Sequence, residues 1–363
     1  NPDCPPHFHA QGNNPQEEAF GYLMKYVSYM CDVFSGGKPV VNIGVLYHAE
    51  ADWSGREYTS ADAVLKILHE NQYNAYLVPA EKLEFANGLQ CLIVPYAKFL
   101  PQTTKDAIEK LYCRVFYTAK NAIGAVIAEL NALGLRDAEF ERAEKNLRYY
   151  HYLKNGMDYY MFFNAGASDL RIRVKLKDKA KYKVLDYLSE YEYAAAGSGE
   201  TELNLPAGNS VLCMRGNGNA KRETVPYLRI DKEIKISLKA AKEREFTFYK
   251  NVSLPFDVLA MNEVPDFAGT ARFETKFFAE RGRYLVKINC GAGDVVLHIN
   301  GKTAGRRICK PYVFDVSDYV TTGENLLSAD ISDTLGTSVD DWLSCYTETE
   351  PLGAASIEIL KIQ

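Results

Sequence analysis

The stretch Val264–Thr334 constrains the fold more strongly than any other part of the chain. Its clearest signal is Asn300-Gly301, which stands between the apolar run Val295–Ile299 and a short polar return. A two-residue hairpin of type I′ needs positive φ at both central residues, and Asn-Gly adopts this readily. Short runs in which apolar and polar residues alternate, separated by turn residues, continue on both sides of this pair. The pattern predicts an antiparallel β-sandwich.

The N-terminal part of the chain alternates helical and strand patterns instead. Glu17–Phe34 has apolar residues at helical spacing, and Val40–Tyr47 is a continuous apolar run, typical of a strand buried on both faces. Helix, strand, strand, helix, strand and helix patterns then follow up to Leu133. This alternation predicts an α/β domain with a mainly parallel sheet over residues 1–144.

From about Asn146 the apolar period changes to two, which indicates antiparallel strands. Leu147–Leu153 and Asp158–Asn164 alternate in this way, and Asn155-Gly156 between them predicts a hairpin. We therefore predict a small antiparallel β-sandwich over residues 145–218. The Gly-Asn pairs at Gly216–Asn219 are typical of a linker, so the larger sandwich is predicted over residues 219–363. The fold class is then multidomain, α/β plus all-β.

Composition and charge narrow the classes of partner. The 363 residues are 47% hydrophobic and 25% charged, which is ordinary for a globular protein. A net charge of −5 without a basic block argues against nucleic acid or an anionic membrane as partner, and no apolar run is long enough to span a membrane. The eight cysteines lack metal-site spacing, and Cys91, Cys113 and Cys213 lie in apolar runs, which indicates buried free thiols in a reducing compartment and so a cytoplasmic location.

Four C-terminal segments together carry a resemblance to a known type of domain. In order they are PDFAGTARFE, VVLHINGK, PYVFDVSDYV and GENLLSADISDTL. Their order resembles the sugar-binding jelly roll attached to many glycoside hydrolases, family 2 among them. The resemblance implies a galactose-binding-like jelly roll that accompanies a catalytic barrel, and it does not imply catalysis in this domain.

Segments of the N-terminal and central regions extend the resemblance to nearly the whole chain. PPHFHAQGNNPQ, YLMKYVSYMCDVFSGG and VNIGVLYHAEADWSG resemble the region after the barrel in bacterial glycoside hydrolases of the α-L-rhamnosidase type, similar to family 106. There an amidotransferase-like (flavodoxin-like) α/β domain follows the barrel. YMFFNAG and ELNLPAGNSVL resemble the small β domain that comes next.

The resemblance implies an accessory C-terminal half of a glycoside hydrolase that acts on a plant or microbial glycan. Its partners would be that glycan and an N-terminal catalytic barrel of the same polypeptide. The chain begins Asn1-Pro2-Asp3 without Met, which adds to the expectation of a longer polypeptide. Two alternatives stay open: a freestanding carbohydrate-binding protein, and a small-molecule enzyme that uses the edge of the α/β sheet. A homo-oligomer also stays open.

No catalytic residue is predicted in this chain. A glycosidase needs two carboxylates that flank the scissile bond, and spacing along the sequence cannot place such a pair. An amidotransferase needs a nucleophilic cysteine at a strand-to-helix turn, whereas Cys91 and Cys113 lie inside or at the start of predicted strands. We expect the chain to be inactive on its own.

Candidate substrate-binding residues follow the first predicted strand of the α/β domain. The segment after Val40–Tyr47 leaves the sheet at its carboxyl end, where α/β domains gather ligands. It carries His48, Glu50 and Trp53, which offer an imidazole, a carboxylate and an indole. Hydrogen-bonding groups beside a flat ring are the groups that a sugar site uses.

His7 and His9 complete the predicted site. They lie in a Pro-rich loop, which the resemblance would place where the chain leaves the barrel. A metal would need a third ligand at a recognisable spacing, and the sequence has none, so no metal and no cofactor are predicted. All five residues are expected on the side of the domain that faces the barrel. The alternative is that they only join the N-terminal loop to the sheet.

Overall fold

The computed structural model describes residues 14–120, 122–176, 180–195, 199–264, 266–291, 293–336 and 350–363. Within these ranges the protein is β-rich and multidomain, and it divides into two compact units. Unit 1 comprises Asn1–Asp32, Tyr187–Tyr191 and Lys221–Gln363, and unit 2 comprises Val33–Asp186 and Glu192–Ala220. The three-domain boundaries 1–144, 145–218 and 219–363 stay a prediction.

Helix α1 spans Glu17–Val33, close to the predicted helix. A turn precedes it, in which the side-chain oxygen of Asn14 accepts a hydrogen bond from the backbone N–H of Gln16 at 2.9 Å. The two faces of α1 differ in exposure. Ala19, Tyr22, Tyr26, Tyr29 and Val33 are buried or half-buried, whereas Leu23, Met24 and Val27 are between 36% and 40% exposed.

Unit 2 begins with alternating strands and helices. In chain order they are β1 (Lys38–Pro39), β2 (Ile43–Tyr47), α2 (Ala49–Trp53), α3 (Ala61–Glu70), β3 (Ala75–Pro79), a 3₁₀ segment (Ala80–Gly88), β4 (Cys91–Val94), α4 (Gln102–Ile108), β5 (Arg114–Tyr117) and α5 (Ile123–Leu133). Four of the described strands form a parallel sheet in the order β3-β2-β4-β5. The predicted parallel sheet is thus present, and the amidotransferase-like classification stays a prediction.

Both faces of this sheet are buried, as the apolar run predicts. Ile43 and Val45 of β2 pack in one apolar cluster with residues of α3 and α5. Leu46 lies in a second cluster, which residues of the 3₁₀ segment and of α4 complete. Because alternate side chains of a strand point to opposite faces, a strand covered on both sides must be apolar throughout.

The rest of unit 2 is antiparallel. Its strands are β6 (Ala138–Phe140), β7 (Leu147–Lys154), β8 (Met157–Asn164), β9 (Leu170–Leu176), β10 (Tyr182–Asp186), β11 (Tyr191–Ala194), β12 (Glu200–Leu205) and β13 (Ser210–Arg215). In the described residues they form two sheets, β1-β7-β8-β13-β10-β11 and β12-β9-β6. Asn155 and Gly156 have φ of 52° and 73°, and this confirms the predicted hairpin between β7 and β8.

Unit 1 is a sandwich of two antiparallel sheets. Its strands are β14 (Thr224–Ile230), β15 (Ile234–Ala240), β16 (Thr247–Val252), β17 (Phe256–Asp257), β18 (Gly269–Ala279), β19 (Arg283–Cys290), β20 (Asp294–Ile299), β21 (Lys302–Arg307), β22 (Tyr312–Asp315), β23 (Gly323–Ser332) and β24 (Gly353–Ile362). Among described residues one sheet has the order β14-β24-β19-β22, with β17 also paired to β24, and the other has the order β16-β15-β18-β23-β20-β21.

The two sheets of unit 1 share one apolar core. Phe273 and Phe277 of β18 pack in it with Tyr284 and Val286 of β19 and Phe314 of β22. The predicted hairpin at Asn300-Gly301 is confirmed, since these residues have φ of 53° and 76° and join β20 to β21. The sandwich is as predicted, and the galactose-binding-like classification stays a prediction.

The predicted linker Gly216–Asn219 lies at the boundary between the units, since unit 2 ends at Ala220 and unit 1 continues at Lys221, but the segment is held in place by its backbone. The backbone N–H of Ala194 donates to the carbonyl oxygen of Asn219 at 2.7 Å. A Cβ atom on Gly218 would lie 2.4 Å from the backbone nitrogen of Ala194. Gly218 is therefore required because its backbone passes close to that of Ala194. In a sequence, a glycine with this role looks the same as a glycine in a flexible linker.

None of the helices in the described ranges combines the length and the apolar character that a membrane crossing requires.

Candidate functional site

The order of the parallel strands in unit 2 marks one position on the sheet. The chain passes from β2 outward to β3, and later continues from β4 outward to β5 on the other side. The winding direction therefore reverses between β2 and β4, and ligands of such sheets bind outside the carboxyl ends of the strands at this point. His48 follows β2 there, Tyr96 follows β4, and Thr118 follows β5.

His48 is the most buried of the predicted site residues. It is 3% exposed and directly precedes α2. Burial lowers the pKa of His48, against a smaller opposing effect of the Pro95 backbone and the Glu50 carboxylate, so the imidazole is neutral at neutral pH. Its Nε2 atom is buried and has no hydrogen-bond partner among the described residues. A neutral ring nitrogen of this kind can bind one further polar atom.

Glu50 presents a second polar atom of the same kind. It lies in the first turn of α2, and its Oε2 atom is buried without a hydrogen-bond partner in the described structure. Each buried polar atom left unpaired costs about 1–3 kcal/mol, so such atoms normally meet water or a ligand. Two of them, only two residues apart in one segment, mark a place where water or a hydroxyl-bearing ligand can bind.

The exposed part of the segment provides a flat ring. Trp53, the last residue of α2, is 79% exposed. Its neighbour Asp52 is held by Tyr58, whose hydroxyl donates to Asp52 Oδ1 at 2.7 Å and whose pKa is raised by this bond. The ring of Tyr58 also makes an edge contact with the His48 ring at 6.0 Å. Tyr58 thus fixes both ends of the segment.

A charged cluster at the same edge escaped the sequence-based prediction. Glu57 pairs with Lys120 and with Lys98, the latter at 2.9 Å, and Tyr96 Oη donates to it at 3.4 Å. The hydrogen bond from Lys120, followed by the one from Lys98, lowers the pKa of Glu57 to about 2. The same rule that selected His48, a polar residue just after a strand, would have selected Tyr96 and Thr118 too.

The structure brings three of the five predicted site residues into one segment, namely His48, Glu50 and Trp53 at the carboxyl edge. His7 and His9 lie outside the described residues. The substrate-binding role of all five stays a prediction.

The buried cysteines of the described residues show no feature of a nucleophile. Of the eight, the six within the described residues are free thiols. Cys91 and Cys213 are buried, and burial raises the pKa of each to about 12, so both stay protonated. Cys91 lies inside the sheet at the start of β4, as predicted, and not at a strand-to-helix turn. The cytoplasmic location stays a prediction.

Comparison with solved structures adds one informative similarity. A rhamnosidase from Novosphingobium sp. PP1Y is similar over 96% of this chain and 41% of its own, with a TM-score of 0.70 and 11% sequence identity. A β-galactosidase from Bacillus circulans sp. alkalophilus matches over 50% of this chain and 42% of its own, with a TM-score of 0.38 and 9% identity. The latter score is too low for an argument. No protein-family profile and no curated protein sequence matches.

The similarity to the rhamnosidase concerns the fold. At 11% identity it shows a fold in common with part of a glycoside hydrolase. This chain spans 41% of the length of the rhamnosidase chain that it matches.

The pKa of His48 generates a prediction about stability. Its pKa in the folded state lies below the ordinary value of 6.5, so the unfolded chain binds more protons as pH falls past 6.5. The contribution of His48 to the free energy of unfolding is therefore complete above 6.5 and is lost as pH falls through the folded pKa. Urea unfolding of the wild-type chain and of His48→Gln, at about pH 7.5 and about pH 5.5, should show a smaller loss in the variant. Equal losses would contradict the burial argument.

Proposed function

We propose that this chain is the accessory C-terminal part of a glycoside hydrolase of rhamnosidase or galactosidase type, in which it follows a catalytic barrel of the same polypeptide. Its α/β unit would be the amidotransferase-like domain of such enzymes, and its sandwich the galactose-binding-like jelly roll. The similarity over 96% of this chain to part of a rhamnosidase carries the proposal.

The carboxyl edge of the α/β sheet supports a role toward a glycan. His48 Nε2 and Glu50 Oε2 are buried polar atoms that lack partners in the described structure, and Trp53 presents an exposed ring a few residues away. A sugar offers hydroxyl groups to the first two and an apolar ring face to the third. In the proposed enzyme this edge would help to line the substrate cleft.

The exposed stripe of α1 supports a covalently linked domain as partner. Leu23, Met24 and Val27 stand at i, i+1 and i+4 on one side of the helix and are each more than a third exposed. Such a stripe is normally buried against another surface. We assign the catalytic barrel as its occupant, since a barrel that precedes this chain would lie next to its first helix.

Without the barrel, this chain should not hydrolyse glycosides. We expect the chain alone to release no product from aryl α-L-rhamnosides or aryl β-D-galactosides above a buffer blank, because no pair of catalytic carboxylates is assigned to it. Turnover that disappears on substitution of an acidic residue of this chain would contradict the accessory role. Sugar binding by a chain whose natural polypeptide has no barrel would favour the alternative, a freestanding carbohydrate-binding protein.

Substitutions at the sheet edge test its contribution in the intact enzyme. Glu50→Gln and Trp53→Ala should each weaken substrate binding or turnover by about tenfold, since each removes one contact of about 1–2 kcal/mol. Glu109→Gln and Tyr112→Ala are matched controls, because both residues are exposed and lie before β5, at the amino edge of the same sheet. If the first pair behaved like the controls, the predicted site would be withdrawn while the fold assignment stood.

Substitution of the α1 stripe tests the partner surface. Leu23→Glu and Met24→Glu should change the free energy of unfolding of the isolated chain by no more than about 0.5 kcal/mol, because both side chains are exposed there. In the intact enzyme the same changes should lower the melting temperature, since they bury a carboxylate against the barrel. Ser28→Glu, at an exposed polar position of the same helix, serves as control. If Leu23→Glu, Met24→Glu and Ser28→Glu changed the melting temperature of the intact enzyme equally, the assignment of the barrel to this surface would be contradicted.

A further inference from the structure

The outer face of the β16-β15-β18-β23-β20-β21 sheet carries an organised set of polar side chains. In the ladder between β18 and β23, Thr270 is opposite Ser332, and Arg272 is opposite Asp330. The residues between them, Ala271 and Ile331, belong to the apolar core. Side chains alternate along a strand, so this register places the polar set on the outer face.

The polar side chains on this face are held in fixed positions by one another. Arg272 binds both carboxylate oxygens of Asp330, with Nε–Oδ1 at 2.6 Å and Nη2–Oδ2 at 2.7 Å. His298 Nε2 lies 3.5 Å from Asp330 Oδ2, and Thr303 Oγ1 lies 3.2 Å from His298 Nδ1. Burial raises the pKa of Asp330, but the hydrogen bonds from Arg272 and His298 outweigh this and keep it below its ordinary value. A planar, two-point ion pair of this kind is rigid.

A second ion pair on the same face leaves hydrogen-bonding capacity unused. Arg306 Nε lies 3.2 Å from Asp294 Oδ1, yet neither atom has an aligned hydrogen-bond partner in the described structure. Asp294 is only 2% exposed, and burial raises its pKa to about 6. The other end of the Arg306 guanidinium donates from Nη2 to Glu18 Oε2 of α1 at 2.6 Å. Buried polar atoms without aligned bonds are sites at which a ligand replaces water.

These side chains line one cleft within unit 1. Its volume is about 640 Å³, and part of its wall is formed by Asn14, just before α1, and by Glu18 and Tyr22 in the first turns of α1. Pockets for small ligands are typically about 300–1,000 Å³. The cleft therefore has room for one or two sugar rings, with the polar network at its base.

Phe246 adds a second aromatic ring to this cleft, beside that of Tyr22. Phe246, just before β16, is half-buried, and its ring lies 4.0 Å from the guanidinium carbon of Arg272 and 5.0 Å from Lys239 Nζ. The contact orders the Arg272 side chain by a cation–π interaction. It also sets an apolar surface beside hydrogen-bonding groups, as recognition of a sugar requires.

The charges of the lining favour an uncharged ligand. Three basic side chains, Lys239, Arg272 and Arg306, are accompanied by the carboxylates of five acidic ones: Glu17, Glu18, Glu243, Asp294 and Asp330. Both guanidinium groups are already paired with carboxylates, so an anion would meet an excess of negative charge. Nor is a metal favoured, because the described residues contain no group of three His, Cys, Asp or Glu side chains placed to hold one.

We propose that the cleft between the outer face of this sheet and the start of α1 is a binding site for a neutral saccharide. Arg272, Asp330, His298 and Asp294 would bind its hydroxyl groups, and Phe246 would contact its apolar ring face. The inference rests on the proposed function for its ligand class. It adds a site in unit 1 that is distinct from the sheet edge of unit 2.

The test is a titration of the full chain with methyl α-L-rhamnopyranoside and methyl β-D-galactopyranoside, followed by amide NMR and by calorimetry. At least one of these probes should shift the amide signals of Thr270, Arg272, His298 and Asp330 in a saturable manner. Arg272→Met and Asp330→Asn should each weaken binding at least tenfold. Phe246→Ala, which changes no strand residue, should also weaken it and serves as the second variant if the strand variants fold poorly.

Lys276→Met and Glu324→Gln are matched controls. Lys276 and Glu324 form the same kind of pair on the same two strands, at 2.8 Å, but outside the cleft lining. Both control variants should bind the probes with the same affinity as the wild-type chain. D-Galacturonate, an anionic sugar, should bind more weakly than the neutral galactoside.

Three outcomes would overturn the proposal. They are the absence of shifts on the sheet face with both neutral probes, an unchanged affinity in the cleft variants, and shifts confined to His48–Trp53. In each case the accessory function is judged separately by hydrolysis. If the chain is inactive and the intact enzyme is active, the accessory function stands although the cleft proposal fails. If the chain alone is active, the accessory function fails, and the result for the cleft is unaffected.

Discussion

The pairing of β18 with β23 is the constraint on which most of unit 1 depends. Ten residue pairs, from Thr270 opposite Ser332 to Ala279 opposite Gly323, run without interruption. A slip of one residue would turn Phe273 and Phe277 outward, at a cost of about 1.5–3 kcal/mol for each large side chain. It would also separate Arg272 from Asp330. The same register therefore fixes the apolar core and the polar network on the opposite face.

The parallel sheet of unit 2 depends on a comparable constraint. Cover on both faces makes its central strands β2 and β4 apolar, so polar groups there collect where the strands end. This is why His48, Glu50, Tyr96 and Thr118 all follow strands of this sheet. Each unit thus carries its polar groups where its own fold permits them: at a strand end in one, and on an outer sheet face in the other. Both sets suit hydroxyl-bearing ligands, which fits a glycan-related role.

Sequence reasoning succeeded where the signal is local. The hairpins at Asn155-Gly156 and Asn300-Gly301, and the fully apolar β2, follow from turn geometry and burial alone. It placed the boundary after Gly216–Asn219 but could not show that Gly218 is required by a close backbone approach, because such a glycine looks the same in a sequence as one in a flexible linker. The Arg272–Asp330 network was also missed, since its members are far apart in sequence and only strand register brings them together. The substrate role of the sheet-edge residues remains a prediction, because a fold shared at 11% identity does not specify a ligand.

The central claim is that this chain is one part of a larger glycoside hydrolase. The most direct measurement is the sequence of the gene immediately upstream of the codon for Asn1. The account predicts an open reading frame that continues in the same frame for several hundred codons and encodes a barrel with two acidic residues at its carboxyl face. A start codon within a few codons of Asn1 would contradict it, and would leave a freestanding carbohydrate-binding protein as the better interpretation.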